Sequence, residues 1–160
     1  MFTRRSLAAI AALSLTGCPD PDAAVFVEAS IDNPTATLQM SPLVAALDGS
    51  FTLNLHLGPR ASGQSLAQLK QLSLTSEDRS ATLIAPLEVT TDPSFPVTVP
   101  VDSDVTVAIS FAADDNTADV SLVPALCDPN GIVIVGALDD SLRGATIPVA
   151  SAPFQVQSCP

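Results

Sequence analysis

The stretch "FTLNLHLG", Phe51 to Gly58, alternates apolar and polar side chains at every step. Successive side chains of an extended chain point to opposite sides, so Phe51, Leu53, Leu55 and Leu57 share one face and Thr52, Asn54 and His56 the other. This period predicts a half-buried β-strand. "DVTVAISF", Asp104 to Phe111, repeats it, with Val105, Val107, Ile109 and Phe111 inward and Thr106, Ala108 and Ser110 outward. "GIVIVG", Gly131 to Gly136, is apolar on both faces and bounded by glycines, the pattern of a central strand in a packed sheet.

Weaker strand candidates are Ala36 to Met40, Leu72 to Thr75, Ala81 to Val89, Pro96 to Val101, Asp119 to Leu122, Thr146 to Val149 and Phe154 to Gln157. Fourteen prolines disfavour long helices. Many short strands separated by turn residues predict an all-β fold, an antiparallel β-sandwich with at most a short helical turn. The one helical candidate is Ser65 to Lys70, where Ser65 and Gln68 make a capping-box pattern and Leu66 and Leu69 fall three apart; the rival reading joins this segment to the following strand. The spacing of the strands resembles immunoglobulin-like and fibronectin-type domains, which implies two packed antiparallel sheets. The chain has no Trp and no Tyr, so it lacks the buried Trp and the tyrosine corner of antibody domains.

The N-terminus carries a different signal. Arg4 and Arg5 precede an apolar run from Leu7 to Leu15, then the small residues Thr16 and Gly17, then Cys18. The run is too short for a transmembrane helix, which needs about 20 apolar residues, and the order of parts is that of a secretory signal peptide. Leu15-Thr16-Gly17-Cys18 resembles the lipobox of bacterial lipoproteins. The resemblance implies cleavage before Cys18, acyl chains on its thiol, and an exported protein of the bacterial cell envelope held on a lipid bilayer, at the outer membrane or the outer face of the inner one. Thr3-Arg4-Arg5-Ser6-Leu7 also loosely resembles a twin-arginine export signal. The expected organisation is a cleaved leader over 1–17, a flexible, acidic, proline-containing tether over 18–33, and one sandwich domain over 34–160.

With residues 1–17 removed, Arg60, Lys70, Arg79 and Arg143 stand against seventeen acidic residues. Nucleic acid is disfavoured as a partner, since its binding depends on Lys and Arg neutralising phosphates. Acylation of Cys18 leaves Cys127 and Cys159 for one another. Export makes a disulfide between them the expected state, and closing a loop of about 33 residues adds roughly 3.7 kcal/mol in the chain-entropy account. A redox role has no support in a Cys-x-x-Cys spacing.

Sites of chemistry are few. His56, the one histidine, lies on the polar face of its strand and would be the base of any Ser-His-Asp arrangement, although no Gly-x-Ser-x-Gly elbow accompanies it. The loop "ADDNTAD" gathers Asp114, Asp115, Asn116 and Asp119, oxygen ligands of the kind calcium takes, yet in a spacing that fails the EF-hand pattern and suits an ordinary turn. Asp102/Asp104 and Asp139/Asp140 read as further solvated turn pairs. Sugar stacking would fall to Phe26 or Phe95, because Phe51, Phe111 and Phe154 take the apolar phase of strands. No cofactor is expected. The preferred expectation is a non-catalytic interaction or structural module with an envelope protein as partner. The alternatives are a calcium-dependent adhesion or assembly module and a hydrolytic enzyme built on His56.

Overall fold

The computed structural model describes residues 23–41, 44–113 and 119–160. The expected leader, Cys18, and Asp114, Asp115 and Asn116 of the acidic loop lie outside the described residues. In chain order the elements are β1 (Glu28–Ser41), β2 (Val44–Leu57), β3 (Ser65–Ser76), β4 (Thr82–Ile84), β5 (Glu88–Asp92), β6 (Val97–Val99), β7 (Ser103–Ala113), α1 (Val123–Leu126), β8 (Ile132–Asp140) and β9 (Ala145–Ala150).

Two antiparallel sheets form, one in the order β1-β2-β7-β5 and one in the order β4-β3-β8-β9 with β6 also on β3. The result is an all-β, sandwich-like fold compatible with an immunoglobulin-like domain. The alternation read in β2 and β7 builds the inner face of the first sheet. Leu47, Leu53, Leu55, Leu57, Val107 and Ile109 are at most 1% exposed. Leu74, Ile134, Leu138 and Val99 close on them from the second sheet. Phe51 and Phe111 pack with ring centroids 6.3 Å apart and planes tilted by 46°.

The register gives the sandwich two ends. At the near end Glu28 of β1 stands opposite His56 of β2, which stands opposite Asp104 of β7, and β3 begins where β8 finishes, with Ala67 opposite Asp140. The far end carries the finish of β7, the start of β8 and, between them, α1. Ser76 pairs with Ile132 there.

Several expectations are corrected. Within 18–33, the range expected to be a flexible tether, Ala24 and Val27 are buried and β1 starts at Glu28. Asn33-Pro34 does not stop the strand: the ladder shifts register between Asp32 and Thr35, with Asn33 at φ 51°, and pairing resumes beyond it. Of the two readings of Ser65–Lys70, the one that joins it to the following strand holds, since β6 and β8 pair with it on opposite edges and those ladders override a local capping pattern. Leu66 is exposed and Leu69 half-buried, so they share no helical face.

Ala81 to Val89 divides at Pro86 into β4 on the second sheet and β5 on the first. Within the strand expected over Asp119 to Leu122, Val120–Leu122 is a 3-10 turn capped by Asp119 that runs into α1, whose second residue is Pro124. The helical turn of the fold therefore lies between β7 and β8. Phe154 and Gln157 make single bridges, to Ile132 and Thr37, in place of a strand. β8 continues through Gly136 to Asp140, and the glycine is needed there because a Cβ would stand 2.8 Å from the Gln71 backbone oxygen.

Candidate functional site

The near end concentrates the polar chemistry. Its centre is Asp140, the last residue of β8 and 1% exposed. The inward phase of β8 runs Ile132, Ile134, Leu138 and then Asp140, so the alternation that buries three apolar residues also buries a carboxylate. Val27 N–H donates to Asp140 Oδ2 at 3.0 Å, and Leu142 N–H donates to Oδ1 at 2.9 Å. The buried Ser65 hydroxyl donates to Oδ1 as well. One side chain thus ties the start of β1, the start of β3 and the β8–β9 turn. Ser141 extends the clasp by accepting Leu66 N–H on its hydroxyl at 2.7 Å, while its own N–H donates to Leu66 O at 3.1 Å.

Burial would raise the carboxyl of Asp140, but the hydrogen bonds from Ser65, Val27, Leu142 and Arg143 outweigh it and hold it below its usual value of 3.8. The reading of Asp139/Asp140 as a solvated pair is corrected for this residue. Asp139 points the other way and is met by Lys70 Nζ at 2.7 Å and the Thr146 hydroxyl at 2.5 Å. Lys70 and then Thr146 hold its carboxyl below the ordinary value. Beside them runs an open groove of about 410 Å³, lined by Leu66, Gln68, Asp139 and Thr146 among others.

On the outer face of the first sheet His56 Nδ1 lies 2.8 Å from Asp104 Oδ1. In register, carboxylates flank His56 on both sides, Glu28 on β1 and Asp104 on β7. Asp104 meets Nδ1 as the carboxylate of a Ser-His-Asp arrangement would, but neither residue paired with His56 in register is a serine, and Ser30 is a diagonal neighbour. On the next rung the Thr106 hydroxyl donates to Asn54 Oδ1 at 3.0 Å, and Asn54 Nδ2 donates diagonally to Asp32 Oδ2 at 2.6 Å. Such cross-strand pairs stabilise the ladder by a few tenths to about 1 kcal/mol each.

Of the acidic loop, Asp119 is described, and its carboxylate caps the 3-10 turn by accepting Ser121 N–H at 2.7 Å. That bond, followed by one with the Ser121 side chain, lowers its pKa. Among the described residues no three His, Cys, Asp or Glu side chains gather as metal ligands, and no buried side-chain polar atom lacks a partner. With Asp119 engaged in this way, millimolar calcium and excess chelator are expected to leave the melting temperature unchanged. A calcium-dependent rise of several degrees, read by circular dichroism, would establish a site.

Cys127 and Cys159 are joined, with Cα atoms 5.7 Å apart. Phe95 is half-buried, whereas Phe26 is exposed at the near end under the Arg143 guanidinium, whose Cζ is 5.7 Å from the ring centroid. The sequence reading missed the Asp140 clasp and the Phe26–Arg143 pair. The first was detectable from the phase of β8; the second needs the topology that brings residues 26 and 143 together. No family model, curated protein or solved structure matches the chain.

Proposed function

We propose that this chain is an exported, lipid-anchored β-sandwich that serves the bacterial envelope as a non-catalytic interaction or structural module. The observation that carries the reading is the disposition of the three cysteines. Cys127 and Cys159 are bonded to each other, and Cys18, the one outside that bond, stands at the close of the lipobox-like Leu15-Thr16-Gly17-Cys18, six positions before the buried Ala24. Each buried methylene of an acyl chain contributes about 0.8 kcal/mol, so two or three chains on Cys18 hold a domain of this size on a membrane for long times. The non-catalytic role is supported by the register around His56, whose directly paired neighbours are Glu28 and Asp104, with no serine among them.

The full chain expressed in a bacterium is expected to enter the detergent phase on partition and to give a mature N-terminal peptide that begins at acylated Cys18 by mass spectrometry. Cys18→Ala is expected to move the protein to the aqueous phase. A water-soluble wild type with an unmodified Cys18 thiol would refute the anchor.

A further inference from the structure

We propose that the near end of the sandwich is a membrane-docking surface and that its occupant is the lipid bilayer on which the chain is anchored. The inference rests on the anchor reading and adds an orientation and a set of contact residues to it. Six residue steps separate Cys18 from the buried Ala24, and an extended chain spans at most about 3.6 Å per step, so the tether reaches roughly 20 Å. β1 alone has 14 residues and is about 45 Å long. Ala24 is fixed to the near end, where its carbonyl oxygen lies against Gly58, at 2.6 Å from where a Cβ would stand. Val27, three residues on, is held by Asp140. A tether this short on a domain this long keeps the near end at the bilayer surface and the far end away from it.

The surface of that end suits lipid. Of the six exposed large apolar side chains among the described residues, Val25, Phe26, Leu66 and Val101 belong to it. Val25 and Phe26 precede β1, Leu66 begins β3, and Val101 occupies the turn between β6 and β7. Arg60, between β2 and β3, and Arg143, between β8 and β9, bring two of the chain's four mature cations to the same end. The Phe26–Arg143 stack presents an apolar ring beneath a cation, the combination that lies at the boundary between acyl chains and phosphates.

Of the acidic groups described at this end, Asp140 is buried, Asp139 is paired with Lys70 and Asp104 is bonded to His56, while Glu28 and Asp102 remain and the tether adds Asp20 and Asp22, so the apolar side chains rather than net charge carry the contact. The far end carries Asp48, Glu77, Asp78, Asp119 and Asp128 with Arg79. Anionic headgroups repel that end.

The absence of Trp and Tyr makes a single introduced Trp the sole strong emitter. Acylated Phe26→Trp, Val101→Trp and, at the far end, Ala125→Trp are reconstituted in vesicles of phosphatidylethanolamine and phosphatidylglycerol, with and without a phosphatidylcholine brominated near the top of its acyl chains. Emission from Trp at 26 and 101 is expected to fall about twofold on the brominated vesicles while that from Trp at 125 is unchanged, and Arg143→Glu is expected to weaken the quenching at 26. Thermal melts establish folding, and Val101→Trp carries the test if Phe26→Trp melts early. Acylated protein on the vesicles with no quenching at either near-end position overturns docking and leaves the anchor standing. An unmodified Cys18 overturns the anchor and, with it, the docking surface.

Discussion

Cys127→Ala is expected to destabilise the domain by about 2–5 kcal/mol, the usual loss when a native disulfide is removed from a small secreted domain. The geometry says where the loss appears. After β9 the chain follows β8, with Phe154 and Ile132 exchanging backbone hydrogen bonds of 2.9 and 3.0 Å. It then crosses to the other sheet, where Gln157 N–H donates to Ala36 O at 2.8 Å and Leu38 N–H donates to Gln157 O at 3.0 Å. Residues 154–157 therefore bridge the two sheets, and Cys159 fastens the end of that bridge to Cys127, just beyond α1. Without the bond the tail is held by isolated bridges and frays first. Hydrogen exchange is expected to accelerate at Leu38 and Gln157 well before it does in β2 or β7. Unchanged stability together with unchanged exchange at Gln157 would show that the tail needs no fastening.

How much of this was legible in the amino-acid order depended on whether a segment buries one face. β2 and β7 do, and their alternation survives along most of their length, so both were readable from Phe51 to Leu57 and from Val105 to Phe111. β1 and the residue before it bury Val27, Ile31, Ala36 and Leu38, but the register shift at Asn33-Pro34 moves the inward phase from odd to even residues, and Asn-Pro reads locally as a boundary. β4 and β5 were merged because the change of sheet across Pro86 is a tertiary event. Ser65 offered a helix cap to local reasoning, whereas its hydroxyl is spent on Asp140, seventy-five residues away. The near end was the least visible part of all. It is assembled from the starts of β1 and β3, the finish of β8 and the turns beside them, and no window of sequence contains more than one of these.

Asp140→Asn is expected to cost about 3 kcal/mol at neutral pH, since hydrogen bonds to a charged acceptor are each worth about 1.5–3 kcal/mol and an amide cannot accept them all. Asp140 accepts from Ser65 and Leu142 on one oxygen and from Val27 on the other. An asparagine that keeps its oxygen toward Ser65 and Leu142 turns an NH2 toward the Val27 N–H, donor against donor in a buried place. The pH dependence carries the diagnostic sign. The folded carboxyl titrates below its ordinary 3.8, so at low pH the group binds fewer protons in the folded state than in the unfolded one. Its stabilisation is complete above the unfolded value and is lost as pH falls through the folded one. The gap between wild type and Asp140→Asn, measured by urea melts, should therefore be widest from about pH 5 upward and narrow steadily below about pH 4. Asp78, Asp119 and Asp139 also titrate low, but they are retained in the variant and leave the difference between the two proteins unaffected. A gap that stays constant down to pH 2 would mean that the charge on Asp140 does not hold the clasp and that its shape alone does.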